Sequence, residues 1–204
     1  MEIPQQESCP RGQALERWQD LVWDIDYCAG YEFAVMAGLA APFMHLVTRD
    51  CFVINFFGGD ADQRERLLRL ALSCWTEPEK MSDSVTNISW RDGRTEFGFS
   101  YTLHAEKFSV KELKRAASYG ATRMAIVCGE EPLDEEVFLD ESIGGEKVFV
   151  LNLDVDSLNI EGDLGVRAAT NAGMLTELAQ SFAGDFLIKW MRETASCLSN
   201  RQVD

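Results

Sequence analysis

Residues 58–65 read Gly-Gly-Asp-Ala-Asp-Gln-Arg-Glu and stand between an apolar run, Cys51–Phe57, and a leucine-rich stretch, Arg66–Trp75. A glycine-rich turn between a strand and a helix is where backbone N–H groups can wrap the phosphates of a nucleotide. The working frame is G-x-x-x-x-G-K-[ST], with a lysine for the β/γ-phosphates and a hydroxyl for Mg²⁺. Gly58 keeps the first place, but Gln63 stands for the second glycine, Arg64 for the lysine and Glu65 for the hydroxyl. Gly58, Gly59, Arg64 and Glu65 are therefore the candidate cofactor-binding residues, at a vestigial phosphate-loop position. Charge argues against a working site. A nucleoside triphosphate brings about four negative charges, and a helix N-terminus supplies only about half a positive one. Asp60, Asp62 and Glu65 add carboxylates around Arg64, so without a metal the loop repels phosphate. A plainer reading needs no ancestry: Gly58-Gly59 is a strand-to-helix turn, Asp60 caps the helix, and Arg64, Arg66 and Arg69 pair with Asp62 and Glu65 on a solvated face.

Other chemistry is thinner. His45 and His104 are the only histidines and lie far apart in sequence, which argues for structural imidazoles and against a metal centre. No G-x-S-x-G elbow is present to activate a serine. Glu112-Leu-Lys114 has the Glu-x-Lys spacing of a nuclease strand. It falls in a predicted helix, however, where residues two apart point about 200° from each other. No catalytic residue and no metal ligand is assigned.

Short apolar runs predict strands at Cys51–Phe57, Phe97–Leu103, Met124–Cys128 and Val148–Leu153. Helices are expected between them at about Asp62–Trp75 and Ser109–Tyr119. The second has a capping box, Ser109 with Glu112, and Gly120 to close it. Alternating strands and helices indicate an α/β fold with a largely parallel sheet. The expected single domain, 1–204, divides into a loose tail (1–12), N-terminal helices (13–50), an α/β core (51–155) and C-terminal helices (156–204). In the first helical segment Leu15, Trp18, Leu21 and Val22 recur at helical spacing, and a second helix from about Tyr31 meets Pro42. The C-terminal helices are expected at about Leu164–Ala179 and Gly184–Leu198, with Phe182, Phe186, Leu187, Trp190 and Met191 on one apolar face.

The 204 residues carry 19 Lys and Arg against 34 Asp and Glu, a net charge of −15 that disfavours direct nucleic-acid binding. Cys9, Cys28, Cys51, Cys74, Cys128 and Cys197 form no C-x-x-C pair, which points to buried thiols in a reducing compartment. The first thirty residues lack a signal-peptide layout, and a cytoplasmic protein is expected. Tyr27–Val47 is apolar enough to suggest a membrane span. Glu32, Gly38 and Pro42 interrupt it, however, and favour a buried core helix.

Taken in order, several segments resemble the P-loop ATPase domain family, an uncharacterised domain family found in predicted replication helicases of phages, plasmids and other mobile elements. They are Gly12–Gln19, Phe33–Phe43, the strand and loop at 51–65, Leu68–Trp75 with Pro78–Met81, and Ala179–Trp190. The resemblance implies a three-layer P-loop NTPase-like core, with a short, largely parallel sheet flanked by helices and N- and C-terminal helical segments. It also implies an acidic pair ending a second strand, where Phe97–Leu103 is followed instead by His104, Ala105 and Glu106. A sensor strand would correspond to Met124–Cys128 with Gly129 and Glu130; Cys128 replaces the expected polar residue. The expectation is a non-catalytic, degenerate member without a cofactor. Its partner would be a protein, either a replication ATPase or a second copy. The alternative is a weak ATP/Mg²⁺-binding or hydrolysing enzyme, with Arg64 replacing the lysine and Glu65, Glu106 or Glu130 holding the metal.

Overall fold

Cys51–Phe57 (β1) has one polar residue, Asn55, in seven, the pattern of a strand covered on both faces. In the computed structural model, which describes residues 20, 29–72, 75, 84–92, 94–140 and 145–158, β1 is indeed interior. It pairs in parallel with Met124–Cys128 (β4) on one side and Val148–Asp154 (β5) on the other. Thr95–Thr102 (β3) continues the parallel set beside β4, and Thr86–Asp92 (β2) closes the far edge antiparallel to β3. The order is β2-β3-β4-β1-β5, a five-stranded, mostly parallel sheet flanked by helices. The expected α/β class with a largely parallel sheet is observed. The β2–β3 hairpin was not expected, because polar Thr86, Asn87, Ser89 and Arg91 interrupt β2 and hide it from a search for apolar runs.

The alternation of β1 sends Ile54 and Phe56 to one face and Cys51 and Val53 to the other. The first face is covered by Ala29–Ala40 (α1) and Ala61–Leu72 (α3), through Tyr31, Ala34, Leu67, Leu68 and Leu72. Each such buried leucine contributes about 1.5–3 kcal/mol relative to exposure. The two helices touch closely at Gly38, where a Cβ would lie 1.8 Å from the Ala71 carbonyl oxygen. At Pro42 the helix is interrupted rather than only kinked: a 3₁₀ turn, Ala41–Phe43, separates α1 from a single helical turn, Met44–Val47 (α2). The segment Ala29–Val47 is the one helical stretch among the described residues with the length and apolarity to cross a membrane, and half of it is buried inside the fold. On the second face lie Val110–Ala117 (α4) and Glu135–Asp140 (α5), through Leu113, Ala117 and Phe138. Lys114 of α4 is buried, with its ammonium donating to the Val137 carbonyl at 3.0 Å.

Ser109 and Glu112 form the expected reciprocal capping box, and Gly120 follows α4 with φ of +60°. That role, together with the helical setting of Lys114, removes the nuclease geometry. His45 donates from Nδ1 to Pro42 O at 2.9 Å and meets Phe97 edge-on, and burial holds its pKa below the ordinary value. The expected N-terminal helix before Asp24, the helices after 158, and Cys9, Cys28, Cys74 and Cys197 lie outside the described residues.

Candidate functional site

From β1 the chain passes over the α3 face to reach β2, whereas from β4 it passes over the α5 face to reach β5. Neighbouring strands whose connections leave in opposite directions open a crevice beyond their carboxyl ends, the usual ligand position in open α/β sheets. Here that position falls at the turn after β1, Gly58–Asp60, and the turn after β4, Gly129–Asp134. The two turns are joined by main-chain bonds: Gly129 N–H donates to Phe56 O at 3.1 Å and Gly58 N–H to Glu130 O at 3.4 Å.

The first turn is short. Gly58 and Gly59 have φ of +71° and +56°, and α3 begins at Ala61. Gln63, Arg64 and Glu65 thus sit in the first turns of a helix rather than around a phosphate-sized loop. Asp60 caps that helix: its carboxylate accepts from Gln63 N–H at 2.7 Å, and the Gln63 side-chain oxygen accepts from Asp60 N–H at 2.8 Å. Gly59 N–H donates to the Asp156 carboxylate at 3.1 Å. The Arg64 guanidinium turns back onto the carbonyls of Gly58 and Gly59, at 2.7 and 2.9 Å. Glu65 pairs with Arg69 one helical turn on. The four candidate residues are therefore close in space, but their polar groups are matched to the chain itself. The plain reading of Asp60 as a cap and of Glu65 as half of a surface pair describes their contacts.

Asp154 and Asp156 are the functional-site residues that sequence reasoning missed. A Cβ on Gly58 would stand 2.8 Å from Asp154 Oδ1 and 3.5 Å from Asp156 Oδ2, so two carboxylates crowd the turn. Glycine is required there for its φ and for this approach. Asp156 N–H donates to Asp154 Oδ1 at 3.1 Å and the Ser157 hydroxyl to Asp154 O at 2.7 Å, a local turn that presents Asp156 to Gly59. The signal available in sequence was this Asp-Val-Asp-Ser turn directly after an apolar strand. Its partner lies 97 residues away.

Under the second turn sits an amide pair, the buried Asn55 and the half-buried Asn152. Asn55 donates from Nδ2 to Asn152 Oδ1 at 3.0 Å and to Glu131 O at 3.1 Å. Asn152 accepts from Leu133 N–H at 2.9 Å and returns a bond to Leu133 O at 2.8 Å. These bonds pin residues 131–133 across the strand ends. Asn55 Oδ1 is buried without a hydrogen-bond partner.

Of the alternative metal contacts, Glu106 pairs with His104 at 3.1 Å, and the exposed Glu130 lends only its main-chain oxygen to Gly58. Among the described residues no group of three or more His, Cys, Asp or Glu is placed to hold a metal ion. Cys128, at the end of β4, directs its thiol to Arg64 O at 3.3 Å; burial pushes its pKa far up, and Cys51 is raised to about 11 for the same reason. Neither is poised as a thiolate nucleophile. Comparisons with protein-family models, curated proteins and solved structures give no match, so the geometry above carries the functional reading.

Proposed function

We propose that this chain is a catalytically silent relative of the P-loop ATPases, cytoplasmic, that acts through protein contacts as a partner or regulator of a mobile-element replication ATPase. The ancestry is supported by placement: a glycine turn leaves the carboxyl end of a central parallel strand and leads directly into a helix. The silence is supported by one observation above all, the self-occupied turn. Asp156 and Gln63 take the N–H groups of Gly59 and Asp60, and Arg64 is spent on carbonyls. An incoming phosphate would displace Asp156 from Gly59 and meet Asp60 and Asp154, with one committed guanidinium to offset them.

A thermal-shift titration with ATP, GTP and ADP, with and without Mg²⁺, tests the silence. A ligand specific for the native state at a hundred times its Kd adds about 2.7 kcal/mol of stability, a readily measured shift. The expected result is no rise at millimolar nucleotide; a Mg²⁺-dependent rise overturns the reading in favour of an enzyme using Arg64. Light scattering after gel filtration, together with a pull-down, tests the contacts. A strict monomer that recovers nothing specific counts against them.

A further inference from the structure

On the α4 face, beside the start of β2, lies a cavity of about 390 Å³, within the range of small-molecule sites. Val85, Phe108 and Ala116 give it an apolar floor, and Asn87, Arg115 and Tyr119 stand at its rim. Tyr119 is 61 % exposed, large for an aromatic ring that lines a cavity. The polar groups at the rim are available. Arg115 makes no side-chain hydrogen bond or close ion pair among the described residues, although its charge acts on the neighbouring Glu112 carboxylate and helps to lower the pKa of that group. Asn87 uses its oxygen to accept the Ser100 hydroxyl at 2.6 Å, which leaves its amide N–H groups as donors. The one acid on the lining, Glu112, is committed to its cap, accepting from Ser109 N–H at 2.8 Å and from the Ser109 hydroxyl at 2.7 Å.

A single guanidinium can balance one negative charge. With Glu112 next to it, a polyphosphate would meet net repulsion, whereas a carboxylate finds two kinds of donor and an apolar floor for the rest of the molecule. We propose that this cavity binds a small amphipathic monocarboxylate, its apolar body against Phe108, Ala116 and Tyr119 and its carboxylate on Arg115 and the Asn87 amide. The site is separate from the turn after β1, and its existence does not depend on the proposed silence of that turn.

The test compares 4-phenylbutyrate with its neutral isostere 4-phenylbutanamide by heteronuclear NMR on the full chain. Both are expected to shift the Ala116 and Tyr119 resonances and the Asn87 side-chain amide. The acid should bind about 5-fold tighter than the amide, and Arg115→Gln should erase that preference. Added salt should shrink the preference in the unaltered protein, a readout that needs no variant. The proposal is overturned if neither compound shifts these resonances at millimolar concentration. It is equally overturned if acid and amide bind alike, if the preference survives Arg115→Gln, or if salt leaves it unchanged.

Discussion

The turn after β1 and the cavity beside α4 both place polar side chains next to a capped helix, yet they are opposite in kind. At the turn, the Asp60, Gln63, Arg64 and Asp156 side chains are matched to partners within the chain. At the cavity, Arg115 and Tyr119 are exposed, while Glu112 is engaged by its cap and the Asn87 oxygen by the Ser100 hydroxyl. The difference teaches where binding energy remains. A ligand at the turn must first break bonds that each contribute about 0.5–1.5 kcal/mol, and then face the carboxylates that made them. A ligand at the cavity breaks no hydrogen bond of the Arg115 side chain among the described residues.

Substitutions should separate the two regions by stability. The largest effect is expected from Asn55→Ala, which empties a fully buried position in β1 and removes the bonds to Asn152 and Glu131. A loss of about 2–4 kcal/mol in urea unfolding is expected. Gly58→Ala comes next, at about 1–2 kcal/mol, because alanine disfavours the positive φ and its Cβ crowds Asp154. Shortening the obstacle with Asp154→Ser should recover part of that loss in a double-mutant cycle; strict additivity would deny the crowding. Arg115→Ala, at the open cavity, should change stability by no more than about 0.5 kcal/mol. A larger loss would mean that Arg115 is a structural residue and the comparison fails.

The smallest effect concerns acid. Hydrogen bonds from the Ser109 side chain, and then from its backbone, hold the Glu112 pKa below its ordinary value. Because the folded pKa is depressed, the native state takes up this proton at lower pH than the unfolded chain does. The resulting stability is fully present above the unfolded value of about 4.3 and is lost as pH falls through the folded one. Glu112→Gln should flatten that limb of the stability profile, and an unchanged limb would show that the cap adds nothing to the cavity wall.

Much of the scaffold was legible, and the reasons are local. The apolar runs at 51–57 and 124–128 became interior strands because burial on two faces demands continuous hydrophobicity, and the run at 148–153 became the edge strand beside β1. The Ser109–Glu112 box and the Asp60 cap could be read because their partners are three residues apart. The hairpin strand β2 and the six-residue α5 escaped, one for its polar residues and the other for its length. At the candidate site the glycines and Arg64 were identified by type and spacing, but their bonding was not. Nothing in Arg64 itself says whether its guanidinium will meet a phosphate or the Gly58 carbonyl.

By itself, then, the sequence determined the apolar strands and the helices at 61–72 and 110–117, how those two helices begin, and that the turn at 58–65 lacks the residues of a working phosphate loop. Those features arise from side chains within about four positions of one another, or from the hydrophobic period of a single element. Only the tertiary structure decided that β5 lies beside β1, and hence that Asp156 reaches Gly59 and Asn152 meets Asn55. Only it set α4 against β2 so as to place Arg115 beside an apolar floor formed by Val85, Phe108 and Ala116. The physical reason is register: strand order and pairing bring together atoms about a hundred residues apart, and no local spacing encodes which two will touch.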